Sequence, residues 1–337
     1  MKNNQPINII STLGPSTESE VEIRGLFDAG CRWFRMNINH GNPQWHEQAV
    51  AHVRSLGKET NTDVGFFFDL GGPKVRIGDV SGDMHTDEHD TYIFTLEETL
   101  TSRLNNKITI QEKAVIDVLE PGDTVTIGDA CITFEITERV CGHEVAAKVL
   151  RSGVLASRRG IAVPGKFVDV ELLTQRDKEF IQLAHKNLIR YFALSFVQTP
   201  EDVLSFREYA KEIGIPKPFV IVKIETMIGV QNIEAIAKEA DLIMVARGDL
   251  MIDTGIAAFG KVVDQLIEQI QKLNVPFIIA TEVMSSMIEN PSPSRADVMN
   301  VYRAKKDGVW GIMLSNETAI GKYPVECVQT VRDILDS

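Results

Sequence analysis

Short runs of apolar residues alternate with amphipathic stretches of helical period over most of the chain. The apolar runs predict eight strands, at residues 7–14, 32–39, 64–71, 190–196, 219–225, 242–249, 277–283 and 309–315. Helical patterns such as EDVLSFREYAKEI and AAFGKVVDQLIEQIQKL lie between most of them. Because these strands are apolar throughout rather than strictly alternating, they favour a parallel sheet covered on both faces. Eight such strands with helical crossovers predict an α/β fold closed into a (β/α)8 TIM barrel.

Residues 73–164 interrupt this rhythm with short β-like segments and frequent turns. The segments DTYIFTL, NKITI and HEVAAKVL are punctuated by the turn clusters SGD, PGD and GDA, and helical patterns are nearly absent. We therefore predict a small β domain, called the insert, at residues 73–164, placed after the third barrel strand. Residues 1–72 and 165–337 are then the first and second parts of the barrel domain.

Composition and charge exclude several classes of partner. The 337 residues are 44% hydrophobic and 24% charged, and the formal net charge of -12 gives no electrostatic case for binding nucleic acid or an anionic membrane. No apolar run approaches the roughly 20 residues that cross a bilayer, and the N-terminus lacks the pattern of a signal peptide. We expect a cytoplasmic protein with neither nucleic-acid nor membrane partners.

The four cysteines are Cys31, Cys131, Cys141 and Cys327, and they show no metal-ligand spacing. A disulfide between Cys131 and Cys141 across a hairpin is the less favoured alternative, because disulfides are rare in proteins of the cytoplasm. We therefore expect reduced thiols.

Polar side chains gather at the carboxyl ends of the predicted strands, where a barrel of this kind places its active site. Each motif alone has a simple structural explanation, since Lys-x-Glu is usually a solvated pair and Arg-Gly-Asp is commonly a turn. Charged residues at several consecutive strand ends favour a shared site instead. The residues are Arg35, Asn37, Asn39 and His40 (second strand), Asp69, Lys74 and Arg76 (third), Lys223 and Glu225 (fifth), Arg247 and Asp249 (sixth), Thr281 and Glu282 (seventh), and Ser315, Asn316 and Glu317 (eighth).

Glu225 and Asp249 fall on adjacent predicted strands and face the same mouth. Two carboxylates with open positions between them suit a hard divalent cation, Mg²⁺ or Mn²⁺. Arg35, Arg76 and Lys223 add cationic groups around this pair. Such a set is suited to positioning a phosphoryl group and neutralising its charge.

Distinctive stretches contain these residues and run from near residue 8 to about residue 327: IISTLGPST, RMNINHG, FDLGGPKVR, SRRGIAVPG, LTQRDKEFI, ALSFVQTPEDV, VIVKIET, IMVARGDL, IIATEVMSSMI, PSPSRADV and GIMLSNETAIGKYPVE. In these stretches and in their order, the chain resembles the pyruvate kinase family. The resemblance implies a TIM barrel with an inserted small β-barrel lid domain. It also implies transfer of a phosphoryl group from phosphoenolpyruvate to ADP, followed by protonation of enolpyruvate to give pyruvate and ATP.

The resemblance implies roles for single residues at the reacting centre. Lys223 is expected to stabilise the transferring phosphoryl group, and Thr281 lies where the family delivers a proton to the enolate. Glu225 and Asp249 are expected to hold the divalent metal. The remaining expected contacts are the substrate carboxylate at the backbone of Ala246, Arg247 and Gly248, phosphate at Arg35 and Arg76, the nucleotide at Asn37, His40 and Arg76, and the lid's basic motif at Arg159.

The monovalent-cation site of the family departs from its usual pattern here. The corresponding residues read Asn37, Asn39, Asp69 and Leu70, and Lys74 stands at a position where the family has glutamate. A lysine ammonium would supply a fixed positive charge where the family often uses K⁺. We therefore expect activity that does not require K⁺, with a solvent-facing Lys74 as the alternative.

Other departures flank the expected catalytic residues and leave different functions open. One alternative is a paralogue acting on another small enol or hydroxy acid. The departures that would indicate it are Met251, Glu282 and Ser285. A metal-dependent pyruvate-enolate lyase is a second, and a binding protein without turnover is a third. The remaining departures are Gly71 in place of a lysine, Asp253 in place of a glutamate, Gly128, Asp129 and Ala130 in place of Asp-Asp-Gly, and Asn316 in place of a glycine.

The matching region ends where the family normally continues into a C-terminal α/β domain with the allosteric site. We expect that domain to be absent, so that classical effector activation is missing. A homodimer through the barrel helices is then favoured over the full tetramer. The sequence is either a short form or a piece of a longer protein.

Overall fold

The computed structural model describes residues 6–128 and 131–337. The first part of the chain alternates strands and helices, as its apolar periodicity predicts. Asn42 caps the second helix by accepting a hydrogen bond from the backbone N–H of Trp45, and Pro43 takes the first helical position. The elements are β1 (Asn8–Thr12), α1 (Glu20–Asp28), β2 (Trp33–Asn37), α2 (Pro43–Thr60) and β3 (Gly65–Asp69).

The insert follows β3 and consists mainly of short antiparallel strands. Its elements are β4 (Met84–His85), β5 (Thr91–Thr95), β6 (Lys107–Thr109), α3 (Lys113–Val118), β7 (Thr124–Ile127), β8 (Ile132–Cys141), β9 (Glu144–Arg151), β10 (Val154–Leu155) and β11 (Ile161–Ala162).

The second part of the barrel restores the alternation of strands and helices. Its elements are α4 (Gln175–Lys186), β12 (Tyr191–Leu194), α5 (Pro200–Glu212), β13 (Phe219–Ile224), α6 (Met227–Gln231), α7 (Ile233–Glu239), β14 (Leu242–Ala246), α8 (Arg247–Thr254), α9 (Ile256–Leu273), β15 (Phe277–Ala280), a 3-10 helix (Ser285–Ile288), α10 (Arg295–Asp307), β16 (Gly311–Leu314), α11 (Asn316–Ala319) and α12 (Pro324–Asp336).

Within the described residues, eight parallel strands close into one barrel in the order β1-β2-β3-β12-β13-β14-β15-β16. All eight predicted strands are confirmed, and the α/β TIM-barrel prediction is confirmed with them. The prediction for residues 242–249 was wrong at its end, because Arg247–Thr254 forms α8. A polar Arg-Gly-Asp run suits a first helical turn better than a buried strand, since an acidic residue there is stabilised by the helix dipole.

The insert forms a curled sheet of its own, whose two edges are joined by isolated bridges. In the described part of the insert, six strands form a sheet in the order β11-β7-β8-β9-β5-β6. Arg76 pairs with Gly160 beside one edge of this sheet, and Ile77 pairs with Ile110 beside the other edge. These two adjacent residues therefore join the edges, which matches the expected small β-barrel.

The barrel and the insert have separate apolar cores. Phe67, Met244 and Met313 belong to the cluster inside the eight-stranded barrel, and a larger cluster fills the layer between the strands and the helices. The insert buries its own cluster, and Val168 packs against it from beyond the predicted boundary at residue 164.

Among the described helices, none combines the length and the apolar character needed to span a membrane. All four cysteines lie in the described residues and are free thiols, as expected.

Candidate active site

Lys223, near the end of β13, is the most buried cation of the barrel mouth. Its ammonium lies 3.0 Å from Oε1 of Glu225 and 3.2 Å from Oδ1 of Asp69, and it donates a 2.7 Å hydrogen bond to Oγ of Ser195. Burial alone would lower the pKa of Lys223, but the carboxylates of Asp69 and Glu225 raise this pKa above its ordinary value. The side chain is therefore held in place and stays charged.

Asp69, the last residue of β3, connects Lys223 to a second cation. Oδ2 of Asp69 accepts a 2.6 Å hydrogen bond from Nε of Arg35, and Nη1 of Arg35 donates to Oγ1 of Thr12 at 3.1 Å. Burial would raise the pKa of Asp69, but Lys223 and Arg35 hold this pKa below its ordinary value. One buried carboxylate thus orients both Arg35 and Lys223.

Glu225 and Asp249 form the carboxylate pair that was predicted to hold a metal. Glu225 is 2% exposed, and its Oε2 accepts a 2.7 Å hydrogen bond from the backbone N–H of Phe196. Burial and the neighbouring charge of Asp249 raise the pKa of Glu225, although Lys223 acts in the opposite direction. A hard cation between the two carboxylates would offset this repulsion, so the residues fit Mg²⁺ or Mn²⁺.

Lys74 points into the mouth of the barrel. Its ammonium lies 3.0 Å from Oδ1 of Asp249, and the Cβ of any side chain at Gly160 would stand only 3.0 Å from Cε of Lys74. Glycine at position 160 therefore leaves the space that Lys74 occupies. The structure pairs this lysine with a predicted metal ligand and not with Asp69, and its side chain remains 34% exposed.

The other residues of the predicted monovalent-cation set make different contacts. Oδ1 of Asn37 accepts a 3.1 Å hydrogen bond from the backbone N–H of Asn39. The side chain of Leu70 is buried in the barrel core, and only its backbone offers a polar atom. A Cβ on Gly71 would stand 2.4 Å from Oδ1 of Asn39, so Asn39 occupies the space that a larger residue at position 71 would need.

A narrow cleft of about 100 Å³, the first cleft, lies between the barrel mouth and the insert. Lys74, Glu225 and Asp249 line it together with insert residues 160–163. The carboxylate pair therefore faces a space that the insert covers. Covered, partly apolar walls of this kind strengthen charge interactions with a bound anion.

A wider cleft of about 480 Å³, the second cleft, opens beside β1 and β2. Arg35, Asn37 and His40 line it, together with Gly41 and Asn316. The structure thus brings the predicted nucleotide-side residues Asn37 and His40 together with a predicted phosphate contact. Arg35 belongs to this cleft and is tied through Asp69 to Lys223, so the ion-pair chain connects the two clefts.

Two predicted site residues of the insert line neither cleft. Arg76 is exposed, and its guanidinium donates a 2.9 Å hydrogen bond to the carbonyl of Arg158. Arg159 is also exposed. In the motif Gly128, Asp129, Ala130, the last two residues lie outside the described residues. The structure therefore leaves Arg76 and Arg159 exposed on the insert, outside the linings of both clefts.

Thr281 follows β15 in a strained turn. The φ angles of Thr281 and Glu282 are +65° and +50°, in a region that residues other than glycine rarely adopt and that is least favourable for a residue branched at Cβ such as Thr281. Oγ1 of Thr281 accepts a 2.8 Å hydrogen bond from the backbone N–H of Gly248 and donates to the carbonyl of Ala280. Arg247 donates to the carbonyls of Thr281 and Glu282 at 2.5 and 2.9 Å. Arg247 therefore fixes the turn that carries Thr281.

Two polar residues have roles that the sequence patterns did not reveal. Ser195, after β12, accepts from Lys223 and donates to the carbonyl of Leu70; a single serine ending an apolar run was its only signal. Glu317 was expected to face the mouth, but this expectation was wrong. Its carboxylate is buried and accepts hydrogen bonds from the backbone N–H groups of Val283, Met284 and Ser315, so it holds the loops after β15 and β16.

Comparison with known proteins identifies the family. A family model described as the barrel domain of pyruvate kinase matches residues 4–328. The chain belongs to the pyruvate kinase family. The eight-stranded barrel and its insert are accordingly those of the pyruvate kinase barrel domain.

The similarity extends to individual pyruvate kinases from distant organisms. The chain is 36% identical to a pyruvate kinase of Thermotoga maritima over 97% of its own length, and it covers 69% of that relative. It is 34% identical to a pyruvate kinase of Bacillus licheniformis over 97% of its length and covers 56% of it. A crystal structure of a pyruvate kinase from Cryptosporidium parvum superposes with a TM-score of 0.92 at 28% identity, over 98% of this chain and 68% of that one.

Proposed function

We propose that this chain transfers the phosphoryl group of phosphoenolpyruvate to ADP and releases pyruvate and ATP. The observation that carries the proposal is the position of Lys223, whose ammonium is fixed by Asp69, Glu225 and Ser195. Asp69 ties the same group to Arg35 in the second cleft. A chain of fixed charges between two clefts suits the transfer of an anionic group from one bound molecule to another.

In the proposed reaction the bond from phosphorus to the enolate oxygen breaks, and a bond from phosphorus to a terminal oxygen of ADP forms. Lys223 neutralises charge on the phosphoryl group during this transfer. Glu225 and Asp249 would hold Mg²⁺ or Mn²⁺, which when bound neutralises charge on the substrate oxygens. Arg35 orients the phosphates of the nucleotide from the wall of the second cleft.

The enolpyruvate that remains takes a proton at its methylene carbon and becomes pyruvate. The hydroxyl of Thr281 is the proposed group on the side of this carbon, and a water molecule would complete the proton path. Arg247 and Gly248 hold Thr281 in its strained conformation, so the hydroxyl keeps a fixed direction. Fixed polar groups of this kind cost no reorganisation during the reaction.

We also propose that K⁺ is not required. Lys74 places an ammonium in the first cleft, beside Asp249, and this charge is part of the folded chain. Turnover should then be similar in buffers containing K⁺ or a tetraalkylammonium ion. A many-fold rise of turnover with K⁺ would contradict the proposal.

A changed substrate is the second candidate, but it has less support. It rests on Met251, Glu282 and Ser285 as departures from the family sequence, whereas the barrel-domain model of pyruvate kinase matches residues 4–328. We therefore favour phosphoenolpyruvate and ADP as the substrates.

The test is incubation of the chain with phosphoenolpyruvate, ADP and Mg²⁺ or Mn²⁺, with pyruvate and ATP both quantified. The proposal requires the two products in equal amounts and no pyruvate when ADP is omitted. Pyruvate without ATP would indicate hydrolysis or lyase chemistry. Neither product, from protein that still binds Mn²⁺, would indicate another substrate or a binding protein.

A further inference from the structure

The short helix α8 carries two carboxylates one turn apart, Asp249 and Asp253. Residues four apart on a helix lie on the same face, and both of these line the first cleft. Asp249 is one of the two predicted metal ligands. Asp253 is not among them, yet only 9% of it is exposed. Burying a carboxylate is costly unless hydrogen bonds satisfy it, so the partners of Asp253 indicate its role.

Asp253 binds the loop that follows β13. Its Oδ2 accepts a 2.5 Å hydrogen bond from the backbone N–H of Met227, the first residue of α6. A hydrogen bond from a backbone N–H to a carboxylate is among the stronger ones in a protein. Met227 lies two residues after Glu225, the other predicted metal ligand. The loop that carries Glu225 is therefore attached to the helix that carries Asp249.

Asp253 also reaches the end of the insert. The backbone N–H of Gly165 interacts with the same carboxylate, and Gly165 has a φ angle of +72°, which favours glycine. Burial raises the pKa of Asp253, while the N–H groups of Met227 and Gly165 act in the opposite direction. The chain enters the insert at Lys74, whose ammonium binds Asp249, and leaves it at Gly165. One face of α8 therefore holds both connections between the barrel and the insert.

These contacts bear on the separation of the two metal ligands. The pairing of β13 with β14 ends at Ile224 and Val245, so Glu225 and Asp249 both lie beyond it. Groups behind a metal ligand orient that ligand and tune its affinity for the metal. Asp253 supplies such a group, because it links the two segments just after the point where strand pairing ends.

We propose that Asp253 is a positioning residue for the divalent metal and sets the separation of Glu225 and Asp249 without binding the metal itself. The proposal rests on the proposed function, since it assigns the metal to this pair of carboxylates. Because Gly165 shares the carboxylate of Asp253, loss of this residue also loosens the end of the insert.

Titration of the substrate-free protein with Mn²⁺, followed by electron paramagnetic resonance, tests the proposal with Asp253→Ala, Asp253→Asn and the control Thr254→Ala. Thr254 is the next residue of α8, and its hydroxyl donates to the neighbouring carbonyl of Gly255. We expect Asp253→Ala to weaken Mn²⁺ binding by about ten-fold, as removal of a group behind a metal ligand does. Asp253→Asn keeps an oxygen for Met227 and should retain most of the affinity, and Thr254→Ala should match the wild type. Equal losses in Asp253→Ala and Asp253→Asn would mean that the charge of Asp253 attracts the metal, which would overturn the positioning role.

Amide hydrogen exchange of the metal-free protein separates positioning from loss of structure. In Asp253→Ala the backbone amides of Met227 and Gly165 should exchange faster by about ten-fold, since a hydrogen bond to a charged group is lost. The amides of β13 and β14 should keep wild-type rates.

Unchanged exchange at Met227 and Gly165, or wild-type Mn²⁺ affinity in Asp253→Ala, would overturn this inference alone. Faster exchange throughout the barrel would indicate a general loss of stability and would also overturn it. A wild type that binds Mn²⁺ but forms no ATP from phosphoenolpyruvate and ADP would overturn the proposed function and leave the positioning of the metal pair standing. A wild type that binds no Mn²⁺ would overturn both.

Discussion

The ammonium of Lys74 lies 3.0 Å from Oδ1 of Asp249 and joins the start of the insert to the mouth of the barrel. Asp249 is also one of the two carboxylates that fit a divalent metal. The lysine and a metal ion would therefore compete for the charge of one carboxylate. Lys74 lies at the start of the insert, so this competition takes place where the insert meets the barrel.

Replacing Lys74 by methionine should tighten Mn²⁺ binding. Removal of the ammonium leaves the charge of Asp249 unneutralised, and a partly exposed ion pair of this kind contributes up to about 1 kcal/mol, or several-fold in affinity. Titration of Mn²⁺ followed by electron paramagnetic resonance measures the change. Lys166→Met, which removes another cation lining the first cleft, is the matched control and should have a smaller effect. Weaker binding in Lys74→Met would show that Lys74 supports the metal instead of competing with it.

Replacing Glu225 by glutamine should weaken Mn²⁺ binding in the same titration. The amide keeps an oxygen for the backbone N–H of Phe196 but removes one of the two carboxylate charges. Because metal affinity depends on the number of charged ligands, we expect Mn²⁺ binding to weaken by about ten-fold or more. Unchanged affinity would place the metal elsewhere.

The sequence predicted the architecture well because the signals for it are local. Apolar runs without strict alternation identified all eight barrel strands, and the change to short β segments identified the insert. The sequence also placed Lys223 and Glu225 together at the end of the fifth strand, and their charged groups lie 3.0 Å apart. These features follow from the period of a strand and need no knowledge of distant contacts.

Partners across the fold were not predictable in this way. Nothing near Lys74 in sequence indicates Asp249, which is 175 residues away, and nothing near Met227 indicates Asp253. Glu317 looked like a residue of the mouth because it follows a strand, yet backbone donors of the loop after β15 bind its carboxylate. Contacts between residues that are far apart in the sequence decide which partner such a side chain has, and the local sequence pattern does not contain this information.

Replacing Arg247 by methionine should lower kcat and leave substrate affinity nearly unchanged. Arg247 donates to the carbonyls of Thr281 and Glu282, which have positive φ angles, so its loss lets this turn relax. Loss of these partly exposed hydrogen bonds should reduce the free energy of unfolding by about 1 kcal/mol. Steady-state kinetics and urea unfolding measure both effects, with Arg303→Met as a surface control. An unchanged kcat would mean that the position of Thr281 does not limit the reaction.

Replacing His46 by glutamine should flatten the dependence of stability on acid pH. Burial lowers the pKa of His46 from 6.5 to about 4, so the unfolded chain binds a proton more readily than the folded chain between these values. The part of the unfolding free energy that depends on a neutral His46 is fully present above pH 6.5. It is lost progressively as the pH falls towards 4, to a total of about 3 kcal/mol. Unfolding free energies of both proteins at several pH values in this range measure the difference. Parallel curves would mean that His46 does not titrate as described.

The most direct test of the account is the single-turnover rate of ATP formation from phosphoenolpyruvate and ADP in Lys223→Met, compared with the wild type. Lys217→Met, at an exposed position, is the control. The loss of a fixed charge at the phosphoryl group predicts a rate lower by about a hundred- to a thousand-fold, with Mn²⁺ binding retained. A rate near that of the wild type would contradict the central claim that Lys223 stabilises the transferring group.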